Sequence, residues 1–324
     1  MSQRVGFSLL VFAGAAMMAG NVSAASFPAR PIRIVDGFPA GGGTDYLARV
    51  IAIKLTDSLG QSVIVDNRAG AASNLAAELV SRANPDGHTW FMGLTSVLAP
   101  SVTLYPKIPY NLLKDFSYGS LVATGTYALV THPSVSAKSV QELVKLAKAR
   151  PGELRYGSSG VAGPLHLAAE LLKSRAGVNI LHVPYKGAAP VVAAVVGGEV
   201  QVGFASVAAA LPMVKANRLN ALAVTSLTRA KAFPDLPTVA ESGFPGFDVT
   251  PSYGILLPAG TPVDIVNQIN AEIGKVLKLP DVQASYASQA LEASHSTPAR
   301  FRQIMEDEVN LWARVIREAN IKAD

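Results

Sequence analysis

Two glycine-rich segments hold the residues best placed to do chemistry. Gly41-Gly-Gly-Thr-Asp45 stands between a run rich in β-branched residues and a segment of helical spacing. A helix beginning there presents backbone N–H groups without intrahelical partners and the positive end of its dipole, and both attract an anion. Glycines let that backbone approach a ligand with no Cβ in the way. Ser158-Ser-Gly-Val-Ala-Gly163 repeats the arrangement with hydroxyls added, and Pro164 follows at a favoured first helical position. Thr95-Ser96, Tyr185-Lys186-Gly187 and Ala205-Ser206 also close apolar runs and could line the same place. The chemistry on offer is anion capture. A partly buried charge at a helix terminus gains up to ~2 kcal/mol, and each charge-assisted hydrogen bond nets about 1.5–3 kcal/mol. Such terms offset ordering costs and reach roughly micromolar affinity, about −8 kcal/mol. The bland alternative for each loop is a tight turn or ordinary loop polarity with no ligand.

Other chemistries fit these residues less well. A phosphate-binding P-loop needs Gly-Lys-Ser/Thr, and Gly42-Gly43-Thr44 has no lysine. The dinucleotide fingerprint needs a third glycine where Tyr46 stands, although Asp66 lies near the ribose-binding position. A nucleophile elbow reads Gly-x-Ser-x-Gly, a pattern that Gly157-Ser-Ser-Gly160-Val161 does not meet. A secreted hydrolase using Ser158 or Ser159 with His166 is the enzymatic alternative. His88, His132, His166, His182 and His295 show no metal-ligand spacing, and His166, on the first turn behind the second glycine loop, reads as a packing or capping residue. The absence of cysteine excludes thiolate catalysis, disulfides, Cys-ligated zinc and iron–sulfur clusters. The 28 Lys+Arg against 23 Asp+Glu leave a net +5 that is dispersed, with only 7% aromatics, so no nucleic-acid signature arises. No catalytic residue, metal or cofactor is assigned.

The elements that must position these loops alternate along the chain. A strand at 31–38, the glycine turn and a helix at 46–59 come first, with Leu47, Val50, Ile51 and Leu55 at helical spacing and Thr44 or Asp45 as N-cap. A strand at 61–66, a helix running to Ala83 and a strand at 88–94 continue the pattern. Helices at 139–150, 165–175, 188–196 and 207–216 then alternate with strands at 154–158, 180–185, 200–205 and 219–225. Such alternation predicts an α/β fold of mostly parallel sheets flanked by helices. Ligands of open α/β sheets lie beyond the carboxyl ends of strands, where both glycine loops fall.

At 324 residues and 49% hydrophobic, the chain suits two domains and excludes a disordered polymer. Pro234, Pro237, Pro245 and Pro251 break any long helix between Thr228 and Pro251, which reads as a connector returning the chain to its first lobe. A strand at 252–257 and helices at 262–277 and 298–319 complete that lobe. The first lobe is therefore expected to be discontinuous, 25–127 plus 251–324, with a second lobe, 128–250, inserted; two consecutive domains are the simpler alternative. Residues 1–24 form a signal peptide: Arg4, an apolar run at 5–19 shorter than the ~20 residues of a membrane span, and Val22 and Ala24 at a small-x-small cleavage site. Without cysteine there is no lipid anchor, so the product is expected free in the periplasm.

In their order along the chain, Phe27-Pro-Ala-Arg-Pro-Ile-Arg33, Phe38-Pro-Ala-Gly-Gly-Gly-Thr-Asp45, Val65-Asp-Asn-Arg-Ala-Gly70, Pro85-Asp-Gly-His-Thr89, Tyr156-Gly-Ser158, His182-Val-Pro-Tyr-Lys-Gly187 and Pro234-Asp-Leu-Pro-Thr-Val-Ala-Glu-Ser-Gly243 resemble the tripartite tricarboxylate transporter receptors, the TctC or Bug (Bordetella uptake gene) family. The resemblance implies a two-lobed, type II-like periplasmic solute-binding fold. It further implies a monomer that captures a small organic mono- or dicarboxylate and delivers it to TctA/TctB-like membrane transporter subunits. A ligand-presenting sensor partner is the other non-enzymatic possibility. Carried across from the family, Phe38, Gly42, Gly43, Thr44 and Asp45 are first-lobe contacts, and Ser158, Gly160 and Gly163 are second-lobe contacts. Thr95, Ser96, Tyr185 and Ser206 complete the candidate set. Two positions depart from the family pattern: His88 stands where Tyr is usual and Ala72 where Gly is usual. Export is checked by mass spectrometry of the secreted protein, which should begin at Ala25; a mature chain retaining Met1 overturns the cleavage reading.

Overall fold

The computed structural model describes residues 27–105 and 107–322. The signal peptide and its cleavage site lie outside the described residues. The chain opens with β1 (Ile32–Asp36), α1 (Gly43–Leu59), β2 (Val63–Asn67), a 3-10 turn (Ala71–Ser73), α2 (Asn74–Ser81), β3 (Thr89–Leu94), α3 (Thr95–Leu104) and β4 (Phe116–Thr124). Then come β5 (Tyr127–Thr131), α4 (Val140–Ala149), β6 (Arg155–Ser158), α5 (Pro164–Ala176), β7 (Leu181–Pro184), α6 (Ala188–Val196), β8 (Val202–Ser206), α7 (Val207–Lys215) and β9 (Asn220–Val224). The final part is β10 (Ser252–Pro258), α8 (Val263–Val276), α9 (Pro280–Ser288), β11 (Glu292–Ala293) and α10 (Pro298–Glu318).

One sheet has the order β11-β4-β10-β3-β1-β2 and the other β7-β6-β8-β5-β9. Neither is mostly parallel, as strand–helix alternation predicts. β1 pairs parallel with β2 and β3, and β6 with β7 and β8, whereas β10, β4 and β5 pair antiparallel with their neighbours. The cause is the double crossing between sheets. The chain leaves the first sheet after β4 and returns through β10, which must run against both β3 and β4 to re-enter between them. The two crossing segments are tied together. Gly125 N donates to the Pro251 carbonyl at 2.9 Å, the Thr225 hydroxyl to the Val249 carbonyl at 2.7 Å, and Tyr127 N to the Thr225 hydroxyl at 3.0 Å. Tyr127, placed with the first lobe from sequence, is the first residue of β5 and pairs with Ser206 in the second sheet.

Some helix starts carry side-chain caps and others do not. Ser139 caps α4 by accepting from Glu142 N, and Thr297 caps α10 by accepting from Arg300 N, with Pro298 at the first turn. The N-cap of α1 is Gly42, not Thr44 or Asp45, so this helix starts earlier than its apolar periodicity indicates. α10 buries Phe301, Met305, Trp312, Val315 and Ile316 along one stripe, packing on α3 of the first lobe and α5 of the second. Its core cluster takes in Phe91 and Leu98 from one lobe and Leu167 and Phe204 from the other, so apolar burial spans both lobes. Thr95-Ser96, expected in a loop, are the first residues of α3.

The segment before α2 is unusual. Ala71, Ala72 and Ser73 all have left-handed backbone, with φ of 48°, 50° and 70°. This turn seats Ser73 against Gly37, where an added Cβ would lie 1.8 Å from the Ser73 hydroxyl, so only glycine fits there. Left-handed backbone costs a non-glycine residue roughly 1–2 kcal/mol, and glycine's greater unfolded-state freedom returns about 0.4–1 kcal/mol of that. Ala72→Gly is therefore expected to stabilise the protein by about 1 kcal/mol in urea denaturation. A destabilised variant would show that Ala72 does not hold this conformation in solution.

Candidate functional site

In the first lobe, β1 ends at Asp36 and α1 begins at Gly43 with no capping side chain. The amides of Gly43, Thr44 and Asp45 thus have no intrahelical acceptor, and the first helical bond is Tyr46 N to the Gly42 carbonyl. Residues that could cap this end are turned inward. The Thr44 hydroxyl donates to Asp36 Oδ2 at 3.1 Å, while Asp45 Oδ2 accepts from Gly41 N at 2.8 Å and Arg49 Nε at 2.9 Å. Asn67 Nδ2 donates to the Phe38 carbonyl at 3.0 Å, and Phe38 N donates to Asp36 Oδ1 at 3.2 Å. Burial pushes the Asp36 carboxyl up to about 6, against the hydrogen bonds from Thr44 and Phe38. Burial also acts on Asp45, but Arg49 and the Gly41 amide outweigh it and hold that carboxyl below the usual range.

Loop 38–44, Leu94 and Tyr253 line an open cavity of about 400 Å³. Leu94 ends β3 and pairs directly across the sheet with Tyr253, the second residue of β10. Of the expected contacts, Phe38, Gly42, Gly43 and Thr44 line this cavity, and Asp45 braces it from behind. Leu94 and Tyr253 were not identified from sequence; their pairing joins segments 159 residues apart, and neither carries a local motif.

Thr95 and Ser96 lie buried beside this cavity rather than in it. The Thr95 hydroxyl donates to Glu308 Oε1 at 2.7 Å, and the Ser96 hydroxyl is buried without a hydrogen-bond partner. Burial pushes Glu308 up to about 7, with the Asp248 carboxylate adding to the effect and the hydrogen bonds from Thr95 and Trp312 opposing it.

In the second lobe, Ser158 ends β6 and is fully buried. Its hydroxyl lies 2.6 Å from His182 Nε2 and 3.0 Å from the Gly160 carbonyl, and accepts from Gly160 N at 3.3 Å. Gly163 is the N-cap of α5 and contributes backbone alone. The Tyr185 hydroxyl donates to Glu199, which precedes β8, so its side chain reaches back along the sheet while Tyr185 N donates to the Ser158 carbonyl. Ser206 caps α7 by accepting from Ala209 N. These residues sit at the carboxyl ends of β6, β7 and β8 and do not line the first-lobe cavity. His182, not His166, faces Ser158. Among the described residues no carboxylate bonds to His182, and the buried serine is inaccessible, so no activated nucleophile results.

A larger hollow of about 800 Å³ lies on the other flank of the crossing, between the segment after β9 and the α9–β11 region. Strand order puts it at the β9 and β11 edges, away from the glycine loops beside β1 and β6. None of the expected contacts lines it.

A model of the tripartite tricarboxylate transporter family receptor matches residues 47–321. BugT of Bordetella pertussis is 37% identical over 313 residues, covering 96% of each chain. A Rhodopseudomonas palustris protein, Rpa4515, solved with adipate, is 33% identical with a TM-score of 0.76, over 91% of this chain and 99% of its own. MatC from Rhodopseudomonas palustris, solved with bound malate, is 29% identical with a TM-score of 0.72, over 90% of this chain and 100% of its own. The two helix-flanked sheets and the sequence therefore agree, and this chain belongs to the TctC/Bug family of tripartite tricarboxylate transporter receptors, periplasmic solute-binding proteins that are not enzymes.

Proposed function

We propose that this protein captures a small organic mono- or dicarboxylate in the cleft between its lobes and delivers it to the membrane subunits of a tripartite tricarboxylate-type transporter. The observation that carries this reading is the uncapped N-terminus of α1, opening on a cavity with apolar walls and no cationic side chain. A carboxylate there accepts from the amides of Gly43, Thr44 and Asp45, with its carbon chain against Phe38 and Tyr253. The second lobe closes over it through backbone at Gly160 and Gly163 and the exposed Ser206. Relatives solved with adipate and with malate support a carboxylate as the ligand class. The signal-like N-terminus and the family's location support action in the periplasm.

A thermal-shift panel of carboxylates that includes adipate and malate tests the reading. A ligand at a hundredfold excess over Kd should raise stability by about 2.7 kcal/mol. No shift by any member, with calorimetry also silent and native mass spectrometry showing no ligand already bound, would sink it. Gly43→Val tests the location. An added Cβ at Gly43 meets no atom within 4 Å, so the variant should fold while its side chain intrudes on the carboxylate position. Affinity should fall about tenfold or more, or 1.4 kcal/mol. Unchanged affinity in the folded variant would place the carboxylate elsewhere.

A further inference from the structure

Behind the second-lobe loop lies a group of titratable side chains to which carboxylate capture assigns no role. The His166 and His182 rings stack with centroids 3.9 Å apart and planes within 9°, and Tyr156 stacks on His182 at 4.9 Å. Each histidine holds one end of the loop. His182 Nε2 lies 2.6 Å from the Ser158 hydroxyl, and His166 Nδ1 accepts from Ala162 N at 2.9 Å. Ala162 needs such a restraint, because its φ of 60° is left-handed backbone on a residue that is not glycine.

An imidazole nitrogen can accept from an amide only while it carries no proton. Protonating His166 would set its Nδ1–H against the Ala162 N–H and release that end of the loop. It would also place a buried cation against the second ring. The charged groups facing the stack are Glu170, whose Oε1 is 3.7 Å from His166 Nε2, and Lys173, which pairs with Glu170 at 2.6 Å. Both lie on α5; β6 contributes Tyr156, whose hydroxyl donates to Glu170 at 2.5 Å, and β7 contributes His182 itself. β8 and α10 also pack on α5 and add no charge to the stack.

We propose that His166 and His182, held neutral, are positioning residues for ligand capture: they fix Ser158 and Ala162 so that the second-lobe loop can close over a carboxylate, and protonation of His166 frees the loop and weakens binding. This rests on the reading that the loop contacts the ligand. Burial, with His182 adding repulsion, lowers the His166 value to about 4, and burial likewise lowers His182. Since the folded value of His166 lies below the unfolded one near 6.5, its stabilising contribution is complete above about pH 6.5 and is lost as pH falls toward 4.

Two substitutions separate the acceptor from the ring. His166→Phe keeps an aromatic ring in the stack and removes the acceptor, whereas His166→Asn supplies a non-titrating oxygen near the position of Nδ1. Hydrogen exchange of the unliganded protein at pH 7 should show Ala162 N–H protected in the wild type, about tenfold or more faster in His166→Phe, and restored in His166→Asn. With adipate as probe, His166→Phe should bind about tenfold more weakly at pH 7.5, with its melting temperature confirming a folded chain. His166→Asn should bind like wild type at pH 7.5. Between pH 6 and 4 it should lose only the affinity that adipate's own protonation removes, while the wild type loses more. Unchanged Ala162 exchange in folded His166→Phe, or identical acid profiles for the wild type and His166→Asn, overturns the proposal. If adipate fails to bind the wild type at every pH, the capture reading fails for adipate, and the exchange data alone decide the loop-holding role.

Discussion

Leaving the N-terminus of a long helix uncapped forgoes roughly 0.5–2 kcal/mol that a Ser, Thr or Asp side chain could supply. α1 has Thr44 and Asp45 in its first turn and uses neither on its own amides. Both side chains brace the loop from beneath, Thr44 through Asp36 and Asp45 through Gly41 and Arg49. The amides therefore stay open toward the cavity while Asp36 and the Oδ2 atom of Asp45 take their hydrogen bonds on the other side. That division allows an acidic loop to present a positive face. The buried Asp36, raised to about 6, shows what the arrangement costs.

The remaining architecture puts the two glycine loops at the carboxyl ends of strands in different sheets. Two crossings between the sheets make the first sheet discontinuous in sequence, with β10 running antiparallel between β3 and β4. The same pairing brings Tyr253 beside Leu94 and supplies the cavity's apolar wall. α10 packs on α3 and α5 together, so the lobes share a core while the hydrogen-bonded crossing segments remain narrow.

The lobes solve loop presentation differently. The first uses charged and amide side chains bonded to a glycine turn. The second uses a buried aromatic stack, in which neutral histidines hold Ser158 and Ala162 from behind. Thr44, Asp45 and Ser158, which look suited to touching a ligand, are instead engaged in shaping the backbone of their loops. In the proposed mode of binding, such a backbone surface fixes one carboxylate and the cavity walls constrain the rest of the ligand.

Much of this was legible in the residues. Glycine-rich turns between a β-branched run and a helical repeat identify helix termini suited to anions, because backbone propensity and periodicity are local properties. Proline spacing after Thr228 likewise marked the return crossing. What local signals could not carry is direction and partnership. The sequence alone does not show that Thr44, Asp45 and Ser158 turn inward, because Thr44 needs Asp36 at the end of β1 and Ser158 needs His182 from β7, while Asp45 is held by Gly41 and by Arg49 one turn along its own helix. Nor does it show that β10 enters antiparallel, or that Thr95 starts a helix and bonds Glu308 from the far end of the chain. Sequence by itself determined the strand–helix alternation of most of the chain, the family pattern and the expectation of anion capture at the two loops. Tertiary structure decided which groups in those loops stay free, because a hydrogen bond between distant residues is settled only once packing has brought them together.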